Sequence, residues 1–570
     1  MRRQFTCHEL TTTNSPQVRR FTCRKSGINL IKLVEKVFKI KSYKKARFKA
    51  VLFISTISLF SSILPANAAA GITYMEPVAA GVSLDPFATA GDSIGGYLIG
   101  GIPDGMGVIP VNGKLRVVTN HEWSNANPIA AARASTAGMT TGSYVSEMHY
   151  DLKKKAIVAG KDFMEWVEWY DYQTGSFGVV PTAPAGAVLV DQYGSSAHSY
   201  LINRFCSSTL ADAGEFYNKK TGLGYKGAVY LTGEEGGDES RGFAGNQDGE
   251  FVQVPGFGLA AWETFVNAPT TSNATVVMGN EDGAATDSQL FMYAGTKTKT
   301  GEWYEKAGLT NGKLYVMASD VLNDNAFRAK YAKGVEAPAS FKVIDYKQNG
   351  KLQNDKAREL GMTLARVEDG HFDPNKPNDY YFVTTESNKD PKATAPNPAT
   401  PTVSRDGGAL WRLRFVDVNN PTKGGTLTML LDGSEAPYLS KPDNIVVDDV
   451  GNILIQEDPG NNALIARIVS YRISDGKLTT VAKFKDTYFN SANTTTFITQ
   501  DEESSGIVDV TSYLRTGKSD KAKYYMLVAQ IHATPAKSRP DLVPAPADIA
   551  NAIEGGQWYV MKVNDWSSIY

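Results

Sequence analysis

Cysteine is almost absent: 570 residues hold three, Cys7 and Cys23 near the start and Cys206 in the body. That scarcity excludes a disulfide-stapled scaffold. Cys206, in "NRFCSS", reads as a small buried residue in preference to a reactive or metal-bound thiol. Long amphipathic helical runs are lacking too, which argues against a helical bundle. There is no EF-hand loop, no His-x-x-x-His pair, no Gly-x-Ser-x-Gly elbow and no phosphate-binding loop. Serine-triad and nucleotide-loop chemistry therefore have no support. Positive charge is scarce outside one stretch. Residues 1–50 carry 14 Lys and Arg against 2 Asp and Glu, and residues 51–68 carry none. With a formal charge of −1 overall, the remainder holds −13. An acidic body speaks against nucleic acid as a partner and suits cations.

The basic stretch runs into "VLFISTISLFSSILPANA", Val51–Ala68. A charged flank, a short apolar run and Ala66-Asn67-Ala68 predict an export signal cleaved after Ala68, with no stable membrane span left afterwards. The expected organisation is a basic leader plus signal over 1–68 and one domain over 69–570. The destination is then periplasmic, extracellular or the cell surface. "RRQF" has a twin-arginine flavour but lies far from the apolar run, so the general secretory route is expected.

After the leader come short β-rich runs: "KLRVVT", "GAVLVDQY", "GAVYLTGEE", "GKLYVMAS", "DYYFVTTE", "ALWRLRFVD", "NIVVDD", "NILIQED", "IVSYRIS", "LTTVAKF" and "YYMLVAQIH". Each is bounded by Gly, Asn, Asp or Pro, which predicts an all-β fold. Helical pieces such as "STLADAGEFYNKK" and "DKAREL" look like short insertions. Two segments share a rhythm. "PDNIVVDDVGNILIQED" (442–458) and "VEDGHFDPNKPNDYYFVTTE" (367–386) both run acidic residue, strand, Asp-containing turn, strand. Repeated hairpins opening on an acid predict a β-propeller, with six blades the expected number and a β-sandwich the alternative. In a propeller the acids at inner strand ends converge on one mouth of the central channel.

Such acids are Asp104 ("PDG"), Glu122 ("NHE"), Glu234, Glu235 and Asp238 ("GEEGGDE"), Glu368 and Asp369 ("RVED"), Asp443 ("KPDN"), Glu457 and Asp458 ("QED"), and Asp501 to Glu503 ("DEESSG"). Each alone is an ordinary turn former. Their recurrence at strand ends points to hard divalent cations, which take clustered oxygens. His121, His371 and His532 sit in acidic or strand-end contexts, while His149 and His198 look ordinary.

"GIPDGMGVIP", "VVTNHE", "YLTGEE", "ARVEDGHFDP", "KPDNIVVDDVGNILIQED" and "VAQIHA" together resemble the PhoX-type secreted alkaline phosphatase family, in the family's order. The resemblance implies a β-propeller phosphomonoesterase with iron and calcium at one mouth of the channel. It implies metal ligands at Glu122, Glu234, Glu368, Asp443 and Glu503, with Asp104 beside them. Arg366 and Arg405 are candidates for holding phosphate, and His121 for a role at the centre. Pro103 and Gly233 stand where the family has cysteine, which points to calcium over iron. The expected partners are small phosphorylated substrates and metal ions, acted on by a monomer. Two alternatives stay open: a calcium-dependent lactonase or phosphodiesterase on the same scaffold, and a non-enzymatic calcium-binding propeller.

Overall fold

The hairpin rhythm of the sequence becomes a ring of strand pairs. In the computed structural model the described residues are 71–127, 139, 141–192, 194–398 and 402–570. The leader, its apolar run, Cys7 and Cys23 lie outside them. Twelve strands build the hub. They are β1 (Pro103–Val111), β2 (Lys114–His121), β3 (Phe205–Ala211), β4 (Val229–Glu234), β5 (Trp262–Asn267) and β6 (Ala274–Glu281). The second half of the chain adds β7 (Val367–Asp373), β8 (Lys376–Thr384), β9 (Pro442–Val447), β10 (Asn452–Glu457), β11 (Glu502–Asp509) and β12 (Lys523–Ile531). The odd-numbered strands are innermost. β1 touches β3, β3 touches β5, and so on through β7, β9 and β11 back to β1, so the inner strands close a ring. Each even-numbered strand pairs antiparallel with the odd one before it, and further strands continue outward. This is the expected β-propeller.

Two features close the circle. Val82–Thr89, from early in the chain, pairs with Gly555–Val563 and completes the sheet begun by β11 and β12. Met75–Pro77 likewise edges the sheet begun by β9 and β10. The sheets begun by β5 and by β7 are joined edge to edge, through Ala337–Ile344 against Gly425–Leu431, into one sheet of nine strands. The described residues form one compact unit. Among the described residues no helix is long and apolar enough to cross a membrane.

Alternation explains the packing. A strand points successive side chains to opposite faces, and here both faces are covered by neighbouring sheets. In β12, Tyr525, Leu527, Ala529 and Ile531 enter one apolar core while Met526 and Val528 enter the next. In β8, Tyr380 and Phe382 pack to one side, and Tyr381 and Val383 to the other. Such strands read as continuous apolar runs, which is why most were legible. Two expectations fail. "STLADAGEFYNKK" is the end of inner strand β3 followed by turns, because its apolar Leu210 and Ala211 pack against the hub instead of along a helix. "GAVLVDQY" forms no strand: Val188, Leu189 and Val190 are exposed in a loop, and its pairing is limited to a single antiparallel bridge, Val190 with Ser196. "DKAREL" does close an 11-residue helix, Gly350–Leu360, capped by Asn349 accepting from the Leu352 amide.

Candidate metal centre

The same register recurs at all six hairpins of the hub. The first residue of each inner strand faces the last residue of its partner: Pro103 with His121, Phe205 with Glu234, Trp262 with Glu281, Val367 with Thr384, Pro442 with Glu457 and Glu502 with Ile531. A bulge follows at once in β1, β3, β5, β7 and β9. In β11 it comes at Gly506. A bulge takes a residue out of the ladder and re-aims its side chain. In five strands the residue concerned is the second, Asp104, Cys206, Glu263, Glu368 and Asp443; in β11 the second residue, Glu503, stays in the ladder opposite Gln530.

These six are brought together, joined by the residues that follow three of the partner strands: Glu122, Glu235 and Asp458. Their ligand atoms form four overlapping groups, each within 4.8 Å: Asp104–Glu122–Cys206, Cys206–Glu235–Glu263, Glu263–Glu368–Asp443 and Asp443–Asp458–Glu503. Cys206, Glu263 and Asp443 are each shared by two groups. Eight carboxylates and a thiol thus line one mouth of the ring.

Few cations answer them. The Arg204 guanidinium donates to Glu235 at 2.7 Å and to Glu122. Arg366 grips Asp282 with two bonds of 2.8 and 2.6 Å and stands 3.5 Å from Glu368. His532 lies 4.0 Å from Glu503 and 2.8 Å from Glu554. Burial, then the neighbouring charges of Glu503 and Glu122, pushes Asp104 well above the carboxylate range. Burial followed by Glu368 does the same to Glu263, burial and Asp282 to Glu368, and burial and Glu368 to Asp443. Glu503 is pushed up to about 7 and Glu235 to about 8, again chiefly by burial. The thiol of Cys206 is pushed up as well, by burial and then by Asp104. Two carboxylate oxygens, Asp104 Oδ1 and Glu263 Oε1, are buried with no hydrogen-bond partner. Buried acids gathered without enough positive charge are what bound cations would relieve.

Of the residues expected from sequence, Asp104, Glu122, Glu368, Asp443 and Glu503 come together here, and Arg366 stands beside them. Glu234 does not. Its carboxylate is taken by Arg241 in two bonds of 2.7 Å, and its neighbour Glu235 faces the mouth. Alternation is the reason, and it repeats in "QED": Glu457 takes Arg467 and Asp458 joins the cluster. His121 is not at the centre either. Its Nδ1 donates to the Gly101 carbonyl at 2.9 Å and its Nε2 accepts from Ser146 at 2.8 Å, while its ring stacks on Tyr144. With both nitrogens committed, it secures the strand end that presents Glu122. Arg405 donates to the carbonyls of Gly433 and Leu439 and lies over the Tyr438 ring, and among the described residues it pairs with no acid of the cluster.

Two members escaped the sequence reading. Glu263 sits in "GLAAWETFV", and an acid inside an apolar run was its signal. Cys206 is buried, as expected, but its Sγ lies within the carboxylates and donates to Asp104 at 3.1 Å. The thiol sought near "PDG" and "GEE" is supplied by the strand between them. The expectation of a centre without sulfur is thereby corrected.

Comparison with known proteins follows this geometry. Residues 253–508 match the family described as alkaline phosphatase PhoX. The match takes in five of the clustered residues, from Glu263 to Glu503, together with Arg366. Among solved structures, Pseudomonas fluorescens PhoX in complex with vanadate, a transition state analogue, is similar at 12% identity. It covers 88% of this chain and 98% of its own, with a TM-score of 0.57. A Trichoderma reesei enzyme of carbohydrate-active family AA12 is also found, at 12% identity over 73% of this chain and 98% of its own; its TM-score is 0.28, too low to bear on the reading. No curated protein sequence matches. The PhoX resemblance read from the motifs thus recurs in the family match, and the chain is similar to an enzyme family of the alkaline phosphatase type.

Proposed function

We propose that residues 69–570 act, after export, as a metal-dependent PhoX-like phosphomonoesterase. The observation that carries the reading is the chain of four linked ligand groups at one mouth of the ring. The residues present fit the implied metals. Groups made only of carboxylates suit calcium, and the two that share Cys206 offer the softer donor that suits iron. Bound there, the metals would supply positive charge against the phosphoryl oxygens and a nucleophile of lowered pKa. The protein's own cations then position the ester. Arg204 and Arg366 each stand just before an inner strand, with φ of +44° and +61°. Long side chains seldom hold that backbone, and its cost of about 1–3 kcal/mol is typical of functional positions. The strain turns both guanidiniums toward the acids of the mouth. Already tied to Asp282, Arg366 keeps a fixed orientation from which to meet a phosphate oxygen.

The test is turnover of p-nitrophenyl phosphate by the metal-loaded protein, with metal content measured by mass spectrometry. Turnover that chelation abolishes and metal restores is expected. Metal-loaded protein that turns over no phosphoester would overturn the reading and leave a metal-binding propeller.

A further inference from the structure

Beside the metal mouth lies a second cavity, of about 600 Å³. It is walled by the segments that run into two of the proposed ligands: Ser440 and Lys441 lead to Asp443, and Pro459 and Gly460 follow Asp458. The lining also holds Arg405 and Asp406. Three hydrogen-bond donors there lack partners among the described residues. Arg405 is 95% buried; one of its terminal nitrogens serves two carbonyls, but its Nε bonds to nothing. The Ser440 hydroxyl is buried and unpartnered. Lys441 makes no ion pair: its backbone amide donates to the Asp406 carbonyl at 2.6 Å and its carbonyl accepts from Asp458 at 3.0 Å. Those two bonds hold Lys441 at φ +47°. Its Nζ rests over Gly460, 3.8 Å from where a side-chain carbon would begin.

Negative charge near these cations is already engaged. Asp406 accepts from the Gly408 amide at 3.0 Å, and Glu435 pairs with Lys333. Neither forms an ion pair with Arg405 or Lys441 among the described residues. Burial pulls the Arg405 guanidinium below its ordinary pKa although Asp406 and Glu435 oppose it, so its charge is only partly answered, and the buried Ser440 hydroxyl has no acceptor. An anion in the cavity would meet Lys441 and lie against a wall that carries the Arg405 charge.

We infer that this cavity is an anion subsite for the part of the substrate that leaves. It rests on the phosphomonoesterase reading and narrows it: the preferred esters carry a second anionic group, a carboxylate or another phosphate, a few bonds from the phosphoryl group cleaved at the metals. The position follows from chain continuity. Lys441 is two residues from Asp443 and Gly460 two from Asp458, so an ester bridging cavity and cluster needs only a short, three-carbon type of spacer.

The experiment compares kcat/KM for 3-phosphoglycerate and for phenyl phosphate, using metal-loaded wild type, Lys441→Gln and Lys441→Arg. Wild type should favour 3-phosphoglycerate, and added salt should shrink that preference. Lys441→Gln should lower kcat/KM for 3-phosphoglycerate about ten-fold more than for phenyl phosphate, through KM, as expected for one charge-assisted contact. Lys441→Arg should restore much of the difference. Equal losses on both esters would place Lys441 on the transferred phosphoryl group and overturn the inference, as would no preference in wild type. If wild type turned over neither ester, the phosphomonoesterase reading itself would fall, and the subsite with it.

Discussion

At the residue scale, one position decides most of the chemistry: the second residue of each inner strand. Glu263 is the sharpest test, because it belongs to two ligand groups and was invisible as a strand-end acid. Glu263→Gln keeps the shape and removes an anion. Metal content should fall, and turnover should fall with it by about 100-fold or more, since even outer-shell changes at metal sites cost about 10–100-fold. Full metal and full rate in that variant would mean the carboxylates do not share cations. Cys206→Ser distinguishes the metals. The hydroxyl is harder than the thiolate, so iron should be lost in preference to calcium, read by mass spectrometry. Equal retention of iron would show that the sulfur is only a packed side chain, as its sequence context suggests.

At the element scale, the unit is the bulged hairpin. Inner strands must crowd at the axis for their second residues to meet, and glycine makes room. A side-chain carbon on Gly105, beside Asp104, would stand 2.0 Å from the Ser208 amide of β3. That neighbour is backbone and cannot swing away. Gly105→Ala should therefore force β1 and β3 apart, at about 1–3 kcal/mol for overpacking. A lowered Tm and weaker metal retention are expected together, measured by thermal unfolding and by dialysis against chelator. Unchanged metal retention would mean that the ligand positions tolerate a displaced strand. His121 acts at the same scale from outside the cluster. His121→Gln should lower the Tm, because a buried ring with two bonds is lost, while leaving more metal bound than Glu122→Gln does.

At the scale of the whole molecule, the hub is a store of repulsion. Asp104, Glu235, Glu263, Glu368, Asp443 and Glu503 are held above the ordinary carboxylate range, Glu503 to about 7 and Glu235 to about 8. An acid with a raised pKa binds a proton more tightly when folded than when unfolded. Between its ordinary value and its raised one, the folded state therefore carries more protons, and stability falls as pH rises. Metal-free protein should lose Tm steadily from about pH 5 to pH 8, as Glu503 ionises and Glu235 reaches half-ionisation. Metal replaces the protons, so its stabilising effect should be larger at pH 8 than at pH 5. A metal-free protein whose Tm is flat over that range would show that the acids are not forced together.

Much of this was legible in the chain. Apolar strands between Gly, Asn and Asp turns, recurring with an acid at their start, demand hairpins that open toward a common point, and "PDN" and "VED" show it openly. Burial of both sheet faces is written in runs such as "YYMLVAQI". What the sequence could not settle is which of two adjacent acids turns inward. "EE" and "ED" look symmetrical as letters, yet alternation gives Glu234 and Glu457 to arginines and sends Glu235 and Asp458 to the cluster. Nor could it show that Cys206 and Glu263, which open no acidic motif, occupy the same place in their strands as Asp104 and Asp443. That equivalence exists only once six hairpins share one register and close on one axis. Register is a property of paired strands, and convergence a property of the ring, so both were decided by tertiary structure alone.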